Sequence, residues 1–288
     1  MTSPKTVFIL IRYSVLSQSK FWQIARDGDF DAYKRKLFSP QRLDAKWQLF
    51  SELTMKSLDE LVANSQGVKV CALLMTSDEL PQEHRARLDT AVDKRPWMHV
   101  VELTRKQSIA AISCRWITSY LQRQAVDCDF ASVRLDDDDM LAGGYIAALQ
   151  RYVNADFAGA VVTFPRGYEP YWDASKGGIS DALLIDYPKV AVGLAFISRY
   201  LHSDATFLTE KVSIFQTGNH VRVDEQYPLI ADHSLIAYVK MAHAQQDTGD
   251  NGVFEARQRK NPAAQLEQLA TDFPAIAAFL EQPCYEHA

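Results

Sequence analysis

Four consecutive aspartates, Asp136 to Asp139 in VRLDDDDML, are the residues of this chain best suited to chemistry. Alternate residues of an extended backbone point the same way and lie about 6 to 7 Å apart, so Asp136 and Asp138 can face one object. Like charges held that close repel, and an ordered run of four needs a cation, hydrogen bonds or protonation to persist. A hard, oxygen-seeking ion such as Mg²⁺ or Mn²⁺ suits these donors. A solvated acidic loop is the other reading of such a charge run. An EF-hand loop needs Gly at its sixth position and Glu at its twelfth. Counted from Asp136, those positions hold Leu141 and Ala147, which excludes that class.

The flanking pattern says what must position the run. FASVRL before it reads as the end of a strand, and AGGYIAALQRYV behind it carries apolar residues at helical spacing. The carboxyl edge of a sheet is where open α/β folds bind ligands. Upstream, VFILI (7–11), VKVCALLM (68–75) and MHVVEL (98–103) are short continuous apolar runs, as expected of strands buried on both faces. Between them, Trp47, Phe50, Leu53, Leu58 and Leu61 predict an amphipathic helix with one slip in phase. HRARLDTAV is a short helix, and SIAAISCRWITSYLQRQ a long one. Strand and helix in alternation imply right-handed crossovers and a Rossmann-like, mostly parallel sheet. The stretch FWQIARDGDFDAYKRKLF is expected to form a lid or a loop carrying a short helix.

The second half changes character. GAVVTFP and VAVGLAFIS (190–198) read as strands, and RGYEPYWDASKGGISDALLIDYP between them as a loop-rich segment. DHSLIAYVKMAHA reads as a helix with Asp232 as its N-cap. Beyond the turn-rich QQDTGDNG, two helical pieces flank Pro274. Tyr168, Tyr171 and Trp172 could stack on a sugar or pack a loop on the core.

At 288 residues, 47% hydrophobic and 23% charged, the chain has the composition of a globular protein with a substantial core. A net charge of −5 argues against a general polyanion surface, so no nucleic-acid partner is expected. Cys71, Cys114, Cys128 and Cys284 match no zinc spacing, and free thiols suit a reducing cytoplasm. The opening MTSPKTVFILIRYS is too short in its apolar run for a signal peptide. No stretch approaches the roughly 20 apolar residues of a membrane span. The expected location is cytoplasmic, with peripheral attachment at the inner membrane face as an option. There is no GxGxxG, no GxxxxGK[ST] and no GxSxG, so a phosphate would have to be met by metal and arginine.

Together, the Rossmann-like half, the acidic strand end and the loop-rich second half resemble the GT-A glycosyltransferase fold. LDDDD stands where that fold carries its DxD motif, and is similar to the LDxDD of many inverting family 2 enzymes. More narrowly, RYSVL, LFSELTMKSL, RLDDDDML and GLAFIS resemble the bacterial rhamnosyltransferase family, over roughly residues 7 to 245. The resemblance implies a GT-A-like domain over 1–245, with a nucleotide-binding half (1–140) and an acceptor half (141–245). A helical extension (246–288) lies outside it.

It also implies function. The expected activity is metal-dependent transfer of a sugar from a nucleotide-sugar donor to a glycan or other hydroxyl acceptor in bacterial glycan assembly. By that resemblance Asp138 is the main ligand of Mn²⁺ or Mg²⁺, Asp136 contacts ribose or metal, and Asp139 binds the metal directly or through water. Arg12 and Arg134, at the same sheet edge, suit the diphosphate of a nucleotide sugar, or pair with the aspartates. Inverting transfer needs a base, and the matching place is Asp232, with N-cap as its other role. His233 beside it departs from the usual acidic pair and offers a base or metal ligand. His220 is a further metal or phosphate contact, or a surface residue. QxxRW is absent, against a processive synthase. The rivals are a Mg²⁺-dependent nucleotidyltransferase or hydrolase, and a non-catalytic sugar-binding protein on a degenerate version of the fold.

Overall fold

A computed structural model of the chain describes residues 3–17, 29–173, 176, 178–244 and 253–280. The aromatic and charged stretch at 18–28, the turn-rich break at 245–252 and Cys284 lie outside the described residues.

Strand β1 (Lys5–Tyr13) sets the pattern. Val7, Ile9, Ile11 and Tyr13 fall in one core cluster, and Phe8 and Leu10 in another. Side chains alternate across a strand, so an apolar residue at every position requires cover on both faces. Helix α1 (Phe30–Leu37) starts where the Asp29 carboxylate accepts the amides of Asp31 and Ala32. Helix α2 (Pro40–Leu49), with proline in its first turn, runs through a five-residue π-helical turn (Phe50–Thr54) into α3 (Met55–Ala63). That turn is the phase slip. Leu53 to Leu58 is a step of five, and a π turn closes i→i+5, which returns Leu58 and Leu61 to the core cluster of Leu43 and Phe50.

The alternation continues through β2 (Lys69–Ser77), α4 (Gln82–Asp93), β3 (Met98–Leu103), α5 (Ile109–Gln124) and β4 (Cys128–Asp136). After the acidic run come β5 (Met140–Leu141), α6 (Tyr145–Leu149), β6 (Val161–Thr163), β7 (Arg166–Asp173), β8 (Gly178–Asp186), β9 (Ala195–Leu201) and β10 (Thr206–Phe207). Then follow β11 (Leu229–Ala231), β12 (Ile236–Val239), α7 (Val253–Gln258) and α8 (Leu266–Asp272). Short 3₁₀ turns occupy Ile214–Gln216, His220–Glu225 and Pro274–Phe279.

The main sheet has the order β11-β6-β9-β4-β1-β2-β3, with β10 on β9. Pairings β4-β1, β1-β2, β2-β3 and β11-β6 are parallel, while β9 runs antiparallel to both β4 and β6. This is the mixed, mostly parallel α/β architecture expected. A second sheet, β5-β12-β7-β8, stands beside it, and the acidic run is the hinge between the two, ending β4 and leading into β5.

Four local expectations are corrected. Arg166–Asp173 and Gly178–Asp186 are the paired strands β7 and β8 and not a loop, because the aromatics serve as strand residues: Tyr168 and Trp172 are buried, as are Ile179, opposite Trp172, and Leu183 and Ile185 further along β8. DHSLIAYVKMAHA forms strand β12 and not a helix, so Asp232 caps nothing. Pairing with β5 and β7 overrides local helical spacing here. Gly167 makes that pairing possible, since a Cβ there would sit 2.4 Å from the Tyr238 ring. The helix after the acidic run is only the five residues of α6, and β9 starts at Ala195 and not at Val190.

The tail packs on the second sheet: Leu269, Phe273, Ile276 and Phe279 share a core cluster with Leu49, Leu53, Tyr168 and Trp172. Among the described residues no helix is long and apolar enough to cross a membrane.

Candidate functional site

The parallel register places Arg12 of β1 directly beside Asp136 of β4. Period-two alternation puts Arg12, Arg134 and Asp136 on one face, with Phe8, Leu10 and Phe130 deeper along it. The Arg12 guanidinium donates from Nε to Asp136 Oδ1 at 2.9 Å and also from Nη2, and Arg134 Nη2 approaches the other oxygen at 3.5 Å. Both guanidinium carbons lie over the Phe215 ring, at 5.8 and 6.0 Å from its centre. Burial works to raise the Asp136 pKa, but Arg12 and then Arg134 overcome it and hold the carboxyl down at about 2. Burial, then Arg12, lowers Arg134 to about 10, which leaves it charged at neutral pH.

The next three aspartates turn the chain, with the Asp139 amide reaching back to the Asp136 carbonyl at 3.3 Å. Asp137 faces the helical layer. Lys46 of α2 donates to its carboxylate, and Thr54, at the end of the π turn, donates to its carbonyl at 3.2 Å. Lys46 also reaches Asp138 Oδ2 at 3.1 Å, and His243 Nε2 lies 2.9 Å from the same oxygen. His243 is completely buried, edge-on to Trp172, and its Nδ1 has no partner among the described residues. Asp139 Oδ1 accepts the Met241 amide at 3.0 Å. Burial raises Asp137 to about 6 despite Lys46. It also works to raise Asp138, where Lys46 and His243 prevail and hold the carboxyl far below the usual range. Burial, then Asp138 and Asp136, keep Asp139 well above it. Thus the run is neither a solvated loop nor a fully compensated network.

Arg12, Lys46, Arg134 and the four aspartates line a cleft of about 450 Å³ together with Ser14, Arg42, Tyr187, Lys189, His220, Lys240 and Arg257. Lys240 and Arg257 both donate to one oxygen of Glu169, a fully buried carboxylate whose other oxygen has no partner among the described residues. The cleft therefore offers guanidinium and ammonium groups around an acidic turn, an arrangement that suits a polyanion carrying a cation.

Of the residues marked in the sequence, Arg12, Arg134, Asp136, Asp138, Asp139 and His220 come together in this cleft. Asp232 and His233 are not among its lining residues. Asp232 accepts from Arg151 at 2.6 Å, from Tyr152 at 2.7 Å and from the Ser234 amide at 2.9 Å. His233 is exposed, 3.2 Å from Asp186. Tyr168 and Trp172 belong to the core, and Tyr171 packs against Phe254. The sequence reading missed Lys46, His243, Lys240, Arg257 and Glu169. Lys46 had a signal, a lysine within the buried stripe of Leu43, Leu49 and Phe50. His243 had none while its strand was read as a helix.

This is a mixed α/β protein with a cleft at the carboxyl edge of β1 and β4, the edge at which open α/β folds bind ligands. The chain belongs to the family described as "Putative rhamnosyl transferase", which it matches over residues 6–254, and is by that membership a glycosyltransferase. No curated protein matches the sequence. Among solved structures, 4-diphosphocytidyl-2C-methyl-D-erythritol synthase is 14% identical, with 79% of this chain and 89% of that one covered and a TM-score of 0.34. A "putative nucleotide-diphospho-sugar transferase" from Desulfovibrio desulfuricans G20 is 8% identical, covering 98% of this chain and 100% of that one, with a TM-score of 0.33. Likenesses that distant carry no argument about chemistry.

Proposed function

We propose that this glycosyltransferase moves a sugar, of which rhamnose is the one the family description names, from a nucleoside diphospho-sugar to a hydroxyl of a glycan or another acceptor, with inversion, using Mn²⁺ or Mg²⁺. The observation that carries the reading is the acidic turn of Asp136–Asp139 set among Arg12, Arg134, Lys46, Lys240 and Arg257 in one cleft.

The donor set fits a hard divalent ion of the kind that shares its shell with substrate. Among the described residues no three His, Cys, Asp or Glu side chains converge as a complete cage. Mg²⁺-type sites commonly use one or two carboxylates and take their remaining ligands from phosphates and water. Asp138 and Asp139 would supply the carboxylates, and a cation there would offset the repulsion by which Asp138 and Asp136, after burial, hold the Asp139 carboxyl above the usual range. The ion would stabilise the charge that develops on the departing diphosphate.

The chain's own residues do the rest. Arg12 and Arg134, stiffened by Phe215 and Asp136, present guanidiniums at the β1-β4 edge, where they suit phosphate oxygens. Lys240 and Arg257, tethered by Glu169, add positive charge to the same cleft. Lys46 holds Asp137 and Asp138 in place from behind.

A thermal-shift series with UDP-, dTDP- and GDP-sugars, each with Mn²⁺ and with EDTA, tests this. Binding to the native state alone stabilises it by about 2.7 kcal/mol at a hundredfold excess over Kd. A metal-dependent shift with one nucleotide is expected and identifies the donor class. No shift with any of them rejects the reading.

A further inference from the structure

Sugar transfer with inversion requires a group to take the acceptor hydroxyl proton, and the cleft supplies one that differs from Asp232. Asp232 is tied to Arg151, Tyr152 and Ser234. Although burial opposes it, those bonds hold its carboxyl below the usual range, which weakens it as a base. Within the cleft, Asp136, Asp137 and Asp138 are engaged with Arg12, Arg134, Lys46 and His243, and Asp139 accepts a backbone amide.

His220 is different. It opens the 3₁₀ turn after Asn219, is half-buried, and lines the cleft. Its Nδ1 lies 2.7 Å from the Lys189 carbonyl oxygen. A carbonyl only accepts, so Nδ1 carries the proton and the lone pair of the neutral ring is on Nε2. Nε2 has no hydrogen-bond partner among the described residues. A backbone carbonyl that fixes the tautomer and leaves the other nitrogen open is the arrangement a general base needs.

We propose that His220 is the catalytic base of the transfer, a role that rests on the glycosyl-transfer reading above. The acceptor O–H proton passes to His220 Nε2 as the hydroxyl oxygen bonds to the anomeric carbon. The bond from that carbon to the diphosphate oxygen breaks, and the diphosphate leaves with the electron pair. The imidazolium then gives its proton to solvent. The charged groups facing His220 are Arg134 and Asp136 from β4 and Arg12 from β1, with the Lys189 carbonyl on its other side. Burial lowers its pKa, the carbonyl bond and Asp136 oppose this, and the two arginines add to it, so the ring is neutral at pH 7.

The test compares wild type, His220→Ala, His220→Gln and Asp232→Asn. It reads nucleoside diphosphate release from UDP-glucose, dTDP-rhamnose and GDP-mannose with Mn²⁺, with water and octyl glycosides as acceptors, across pH. Donor binding is followed by thermal shift. In wild type, kcat should fall on the acid side as the imidazole takes a proton. Both His220 variants should lose that limb and about a hundredfold or more in kcat, with donor binding kept. Added imidazole should restore part of the rate in His220→Ala. The proposal is overturned if His220→Ala keeps kcat or the acid limb, if its defect is confined to donor binding, or if Asp232→Asn alone removes the limb. Wild type that binds no donor rejects the transfer reading itself. Wild type that binds donor but releases no diphosphate, even to water, rejects the transfer reading too, whereas the outcomes for the His220 variants reject the base alone.

Discussion

Lys46 gives the most direct test of how the acidic turn is held. Lys46 is 5% exposed, and its ammonium contacts Asp137 and Asp138, themselves 3% and 8% exposed. Replacing it in Lys46→Met keeps the apolar stem and leaves two buried carboxylates without that charge. Removing one partner of a buried ion pair costs about 3–5 kcal/mol. The pH dependence follows from Asp137. Its folded pKa is raised, to about 6, so its contribution to stability is present below the unfolded value of 3.8 and is lost as pH rises through about 6. Without Lys46 that pKa rises further, and each added unit deepens the loss at pH 8 by about 1.4 kcal/mol. At pH 5 the carboxyl is largely protonated in both proteins and the deficit shrinks. Urea unfolding of both proteins at pH 5 and pH 8 measures this. A deficit of about 3–5 kcal/mol at pH 8 that falls at pH 5 is expected. A deficit under about 1 kcal/mol, or one unchanged with pH, would show that the turn does not depend on Lys46.

Further consequences concern the turn and the second sheet. Asp138→Asn should abolish the Mn²⁺-dependent thermal shift given by a nucleotide sugar; it also takes a charge from the buried contacts with Lys46 and His243, so the unliganded melt should fall while the circular dichroism spectrum well below that melt stays that of the folded protein, and unchanged donor affinity would remove the metal from the reading. Gly167→Ala should lower the melting temperature by several degrees. A methyl group there meets Tyr238 ring atoms at 2.4 to 2.6 Å, and overpacking a buried contact costs about 1–3 kcal/mol or more. Deleting Ser51 should convert the π turn to regular helix and rotate Lys46 by about 100° relative to Thr54, which abolishes donor binding in the same thermal-shift assay.

The architecture of the first half was legible because its signals are local. An unbroken apolar run through the middle of β1 (Val7–Ile11) and of β2 (Val70–Met75) says that both faces are covered. A five-residue step in an otherwise helical stripe says that the helix slips there, and the π turn sits at that step. The acidic run at the end of β4 was equally plain, since strand end and charge are adjacent in the chain.

What the sequence left open was which distant groups meet that run. Tyr168, Trp172 and the residues around Tyr238 have spacings that admit loop or helix, and only pairing between β5, β12, β7 and β8 makes them strands. That pairing carries His243 to Asp138 across 105 positions of sequence and leaves Asp232 outside the cleft. The same holds for charge. Four neighbouring carboxylates look alike in the sequence, yet Arg12 and Arg134 draw Asp136 down while burial beside its neighbours lifts Asp139. Composition and periodicity determine which faces are buried. Which carboxylate keeps its proton, and which imidazole opens into the cleft, depends on contacts that only the folded chain creates.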